Sequence, residues 1–149
     1  MMKLSSKRIN FSQIGFTLIE LMFVVVILAI LTAIAMPSYA NYIKRANIKA
    51  AQSDLVALGL VYENFYQRNL SYPSVNFVST SALMDSNTGF PQWAPSKTDI
   101  FEFSSNSTRS GKGYTLTATA KNDSNLSGCS LSINEKNIRT ANNCGNVTW

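Results

Sequence analysis

The chain is 149 residues long, carries a formal charge of +5 and contains no histidine. That length supports one soluble domain at most, and the missing histidine removes the commonest general base and the commonest zinc ligand. Three cations, Lys3, Lys7 and Arg8, sit in a short polar leader, so beyond Gly15 the charge falls to about +2, too little to argue for nucleic acid by itself.

From Phe16 to Met36 only Thr17, Glu20 and Thr32 interrupt a continuous apolar run. At about 1.5 Å of rise per residue this run spans roughly 30 Å as a helix, enough to cross a bilayer core. The basic leader would then stay cytoplasmic and the remainder would be exported. Two plainer readings compete. A secretory signal has a shorter apolar stretch and a small-residue cleavage pattern on its far side, which this run lacks. A simple anchor accounts for the length, but not for Glu20, an ionisable group that is costly in lipid unless it is used, nor for the glycine directly before the apolar start.

Gly15, Phe16, Thr17, Leu18, Ile19, Glu20 and Leu21, the valine- and isoleucine-rich run behind them, and Pro37 together resemble the type IV pilin family, which includes the pseudopilins of type II secretion. The resemblance implies that a prepilin peptidase cuts between Gly15 and Phe16 on the cytoplasmic side and methylates the new Phe16 nitrogen. Residues 1–15 are then a leader peptide, 16–38 a transmembrane and assembly helix, and 39–149 a periplasmic or extracellular globular domain. Cleavage would create an ammonium four residues from the Glu20 carboxylate, on the same helix face, where the acid also suits the positive end of the helix dipole. The carboxylate could instead reach the amine of a neighbouring subunit, which makes Glu20 the expected assembly residue. Pro37 removes a backbone donor and frees the Ala33 carbonyl. A kink is expected there rather than a break, because helical signals resume at once.

Beyond Pro37, Ile48, Ala51, Leu55, Leu58, Tyr62 and Phe65 recur at helical spacing. They predict one helix from about Phe16 to about Arg68, with an amphipathic second half. Tyr62, Phe65 and Tyr66 read as core rather than as a stacking platform, and Lys44, Arg45, Lys49, Gln52 and Glu63 as polar positions. The stretch from Asn69 to about Lys97, with Pro73, Pro91 and Pro95, reads as a long connecting loop that Phe90 and Trp93 tuck down. Strands are expected at residues 100–103, at 114–120 where apolar residues alternate with threonine, from Leu131 through Ile133, and at 138–140 after a turn over 134–137. The fold class is therefore α+β, a long N-terminal helix packed on a small antiparallel sheet, and by resemblance the type IV pilin fold. Cys129 and Cys144, an even pair in an exported domain, read as a disulfide, with two free buried thiols as the alternative. The order of the Gly113-Tyr114-Thr115-Leu116 stretch, Cys129, the Leu131 strand, Cys144 and Trp149 is similar to the small minor pilins of the PilE type.

These features imply a filament subunit with no catalytic, metal or cofactor site. The implied partners are major and minor pilin subunits in a helical filament, the prepilin peptidase, an inner-membrane assembly platform and the membrane itself. The precursor belongs in the inner membrane and the mature chain in the extracellular pilus. The leading reading is a minor pilin that helps initiate or complete pilus assembly, supporting twitching motility, adhesion or DNA uptake. A type II secretion pseudopilin is one alternative. Asp85, Asn87, Asp123 and Asn125 offer oxygen donors of the kind calcium takes, without the order of an EF-hand. A pilus-tip DNA receptor or adhesin is another. Arg109, Lys112, Lys121, Lys136 and Arg139 are spread over the sheet region, a few of them able to gather near Trp149, whereas Lys44, Arg45 and Lys49 are expected at lipid headgroups or neighbouring subunits.

Overall fold

Among the described residues, apolar side chains at three-and-four spacing and short alternating runs become six elements: α1 (Leu18–Asn69), α2 (Thr80–Leu83), β1 (Phe101–Thr108), β2 (Gly113–Ala120), β3 (Ser130–Asn134) and β4 (Arg139–Asn142). The structure is a computed structural model that describes residues 15–108 and 111–149. Lys3, Lys7, Arg8 and Arg109 lie outside the described residues. The chain divides into two compact units, one ending at Tyr39 and one covering Ala40–Trp149.

In the first unit every large apolar side chain from Leu18 to Met36 is exposed. This part of α1 is long and apolar enough to cross a membrane, and none of it is buried. Such a surface, apolar all round, is suited to lipid or to other apolar helices. Its one mid-span hydroxyl is already satisfied: Thr32 Oγ1 donates to the Leu28 carbonyl at 2.8 Å and the Ala29 carbonyl at 3.0 Å. Pro37 is an interior residue of α1, so the helix does not end there.

In the second unit, α1 buries Ile48, Ala51, Leu55, Leu58 and Tyr62 as a stripe, each at most 1% exposed. The stripe joins one core with Phe101, Phe103, Leu116, Ala118, Leu131 and Ile133 of the sheet. Fully burying each large apolar side chain of this kind stabilises the fold by about 1.5–3 kcal/mol. The sheet runs in the order β1-β2-β3-β4, with every neighbour antiparallel. The alternation read at 114–120 is the observed burial pattern of β2, and Leu131 and Ile133 point into the core from β3.

The structure extends or changes the sequence reading at four places. β1 runs five residues past the apolar stretch, because the polar Ser104–Thr108 continuation pairs residue by residue with β2 as far as Thr108↔Gly113. Its Ser105 is buried and accepts a 2.7 Å hydrogen bond from the Tyr62 hydroxyl. The connecting loop contains the one-turn helix α2, whose Ser79 cap accepts from the Ala82 N–H. The Thr80 N–H donates to Glu102 at 2.6 Å, which ties α2 to β1. Phe90 and Trp93 do tuck the loop down, at 7% and 3% exposure. The Trp93 indole N–H reaches the Asp54 carbonyl at 3.0 Å, while the Asp54 carboxylate accepts from the Ser96 N–H and hydroxyl.

The other two differences concern α1. Glu63 is half-buried rather than solvated, accepting from the Tyr72 hydroxyl at 3.1 Å and the Tyr114 hydroxyl at 2.9 Å. Tyr66 is not core but 39% exposed, stacked on Tyr72 with ring centres 4.6 Å apart. Sequence periodicity marks which face a residue occupies, but not how far toward the edge of that face it lies.

Candidate functional site

The N-terminal motif forms a reciprocal cap. Thr17 precedes the first helical residue, and its hydroxyl accepts from the Glu20 N–H at 3.3 Å. The Glu20 carboxylate reaches back to the Thr17 N–H at 3.3 Å and the Thr17 hydroxyl at 3.1 Å. This is the capping box, in which two orphan helix donors satisfy each other's partners. Thr-Leu-Ile-Glu before an apolar run is its sequence signature, a signal the charge-centred reading of Glu20 passed over. The acid is therefore held at the first turn by neutral donors, four residues from the Phe16 nitrogen.

Cys129 and Cys144 form a disulfide, 15 residues apart in sequence. Because β3 pairs with β4 from Ser130↔Asn142 to Ile133↔Arg139, the bond closes the open end of that hairpin. The opposite end is a stiff turn. Asn134 Oδ1 accepts from the Lys136 N–H at 3.0 Å and the Ile138 N–H at 2.9 Å, and Asn137 takes the left-handed conformation with φ 58°. Asn tolerates that region better than other side-chain-bearing residues. The turn leaves Lys136 and Ile138 exposed.

Register brings Lys112 to the same end. Thr115 lies opposite Asn134, so Lys112, just before β2, and the β3–β4 turn lie at the same end of the sheet. Gly111, with φ 85°, makes the tight approach there, and its carbonyl accepts from the Tyr72 N–H at 2.8 Å. Lys112 and Glu135 line one depression together. Lys121 is at the far end of the sheet, donating to the Thr98 carbonyl at 2.7 Å, and takes no part in this group.

Arg139 and Trp149 do meet, with the guanidinium carbon 5.6 Å from the ring centre. Lys49 joins them: its ammonium donates to the Thr148 carbonyl at 3.3 Å, and all three residues line one cleft with Gln52. Lys44 and Arg45 line a different cleft, beside Asn125, Asn143 and Cys144. Of the oxygen donors read as calcium candidates, Asp85 is engaged by its own loop. Asp85 accepts from the Asn87 and Thr88 N–H groups and the Thr88 hydroxyl, which hold its carboxyl below the usual range. Among the described residues no three acidic, histidine or cysteine side chains come together.

Burial pushes the Tyr62 hydroxyl up to about 12, only partly opposed by its bond to Ser105. Tyr72 rises to about 12, and Tyr114 rises too, through desolvation first and then through the Glu63 carboxylate. These tyrosines are neutral donors at every physiological pH.

Residues 37–148 match the family model described as "Type IV minor pilin ComP, DNA uptake sequence receptor". The chain belongs to this family of type IV minor pilins. Residues 10–36 of the pilin match the prokaryotic N-terminal methylation motif, which contains Gly15, Phe16 and Glu20. It is 39% identical over 80 residues to type II secretion system core protein G of Pseudomonas aeruginosa, covering 54% of the pilin and 56% of that protein. It is 57% identical over 42 residues to the type IV major fimbrial protein FimA of Dichelobacter nodosus, covering 28% and 27%. The pilin thus aligns with about half the length of the first relative and about a quarter of the second. A type IV pilin structure from Shewanella oneidensis aligns at 23% identity and a TM-score of 0.46, over 71% of the pilin and 97% of that chain.

Proposed function

We propose that this minor pilin binds DNA through its exported domain and serves DNA uptake from within a type IV pilus. The observation that carries the reading is the family match over residues 37–148, a family described as a DNA uptake sequence receptor. It moves the DNA-receptor reading, an alternative from the sequence, ahead of a subunit that helps initiate or complete assembly. The sheet end supports it: Lys112 and Lys136 are exposed at one end of the sheet, with apolar Ile138 close to Lys136 in the chain. Exposed cations suit phosphate contacts, which position a protein on a duplex. The similarity to a type II secretion protein favours a pseudopilin as the second reading, over a shorter stretch.

The N-terminal motif supports the route to the pilus. In our reading, residues 1–15 are removed, Phe16 becomes the methylated N-terminus, and residues 16–38 anchor the precursor in the inner membrane with the leader cytoplasmic. Before cleavage Glu20 serves as a neutral-partnered cap. Cleavage supplies an ammonium within reach, and charge-assisted bonds are roughly twice as strong as neutral ones. Glu20 can then leave Thr17 for its own Phe16 or for that of a neighbouring major or minor pilin, fixing axial register. Pro37 kinks the helix between anchor and domain. A prepilin peptidase and an assembly platform are the further partners this route requires.

The test is duplex binding by the full chain in detergent micelles. Lys112→Ala/Lys136→Ala should weaken binding and flatten its dependence on log salt by about two. A wild-type chain with no affinity for duplex at low salt contradicts the DNA reading.

A further inference from the structure

The cleft between α1 and the β4 edge is lined by Lys49, Gln52, Ser53, Val56, Arg139 and Trp149, with no acidic residue among them. Its volume, about 420 Å³, is in the range of small-ligand sites. Gln52 is 5% exposed, and its Nε2 is buried with no hydrogen-bond partner among the described residues. Buried donors are nearly always paired, so an unpaired one points to a group the chain does not itself supply. Lys49 spends one ammonium donor on Thr148 and has two more. Arg139 Nε is fixed by Asn137 Oδ1 at 3.0 Å, and its plane lies by the Trp149 ring. Two cations and the buried glutamine therefore line one cleft beside an aromatic ring.

We propose that this cleft is a backbone-gripping DNA subsite, in which Lys49 and Arg139 hold one phosphodiester, Gln52 donates to its oxygen, and Trp149 packs against the adjoining sugar or base. The subsite rests on the DNA reading above and adds a contact face distinct from the Lys112–Lys136 end. Arg139 joins the two, because it also lines the neighbouring depression with Glu135 and Asn137 at the β3–β4 turn. A contact with another subunit is the competing use. Interface cores are depleted of charge, whereas this cleft offers two cations and a single aliphatic side chain, Val56. Aromatic stacking and cationic grip are the combination by which proteins follow a nucleic-acid backbone.

Phosphate contacts are blind to sequence, so a labelled duplex of arbitrary sequence serves as probe, with the full chain in detergent micelles. Lys49→Ala and Arg139→Ala should each weaken low-salt binding about three- to tenfold and lower the salt slope by about one. Gln52→Met should weaken binding while leaving the thermal midpoint unchanged or raised, because it removes a donor that has no partner in the free chain. Trp149 emission should change on adding duplex, and Trp149→Phe should abolish the change, since Trp93 is buried. Unaltered affinity and slope in Lys49→Ala and Gln52→Met, alongside a loss in Lys112→Ala/Lys136→Ala, overturn the subsite and leave the DNA reading standing. No duplex affinity in the wild type overturns both. Normal duplex binding with lost incorporation into pili assigns the cleft to a subunit contact and overturns the subsite.

Discussion

Reducing the Cys129–Cys144 bond should cost this small domain a large share of its stability. The bond closes a loop of 15 residues that contains the whole β3–β4 hairpin. In the chain-entropy model a loop of that size is worth about 3 kcal/mol, against a total of about 5–15 kcal/mol for an ordinary domain. β4 is short, exposed along most of its length and an edge strand, so little else holds it. The assay is equilibrium unfolding of the full chain in urea, with and without a thiol reductant, followed by emission of Trp93, which sits 3% exposed in the core. Reduction should move the midpoint to lower urea by the equivalent of ~3 kcal/mol. The slope should steepen, because the open chain exposes more surface when unfolded. Cys129→Ala/Cys144→Ala should reproduce the shift and then be indifferent to reductant. A loss below ~1 kcal/mol in both experiments would refute the reasoning, since the β2–β3 ladder and the core would then hold the hairpin unaided.

Other consequences follow from single contacts. Tyr62→Phe removes the 2.7 Å bond to Ser105 and leaves a buried hydroxyl unpaired, which should cost about 1–2 kcal/mol in urea unfolding. Adding Ser105→Ala should recover part of that loss, and strict additivity would contradict a direct bond. Tyr62 and Tyr72 are raised from 10.0 to about 12. The folded chain therefore holds these protons more tightly than the unfolded chain, and the stability they lend is complete below pH 10 and lost as pH rises toward 12. Thermal midpoints should fall across that window, less so in Tyr62→Phe, and a flat profile in the wild type contradicts the assignment. At the N-terminus, Glu20→Gln keeps a capping-box side chain but removes the charge. Quantitative immunoblotting of sheared pili should find it strongly depleted, and incorporation at the wild-type level would mean that Glu20 acts only as a cap.

The parts of the fold carried by periodicity were legible in the chain. Ile48, Ala51, Leu55, Leu58 and Tyr62 announce a helix face, and Tyr114 through Ala120 announce a half-buried strand, because core packing imposes both repeats. The polar second half of β1 was not legible. Its serines and asparagine carry no hydrophobic pattern, and only the β2 ladder and Tyr62 make Ser105 a buried strand residue. α2 escaped for a related reason, since a single turn leaves no period to detect and depends on Ser79 and Glu102 for its cap.

The functional surfaces divide in the same way. Gly15 and Phe16 were singled out by the resemblance to type IV pilins, Glu20 also by its cost in an apolar run, and Cys129 and Cys144 by their even count. The cleft could not be singled out, because Lys49 and Gln52 precede Arg139 and Trp149 by some ninety residues, and only the fold brings them to one lining. Lys49 also shows that cations close in sequence need not share a cleft. It follows Lys44 and Arg45 closely in sequence, yet it faces the C-terminal segment while they line a separate cleft.

Deleting the gene and scoring pilus number and DNA uptake in the same cells tests the central claim most directly. A minor pilin dedicated to binding DNA predicts piliation near the wild-type level with DNA uptake lost, and uptake restored by the intact chain but not by Lys112→Ala/Lys136→Ala. Undiminished uptake in the deletion, or restoration by that variant equal to the intact chain, would contradict it.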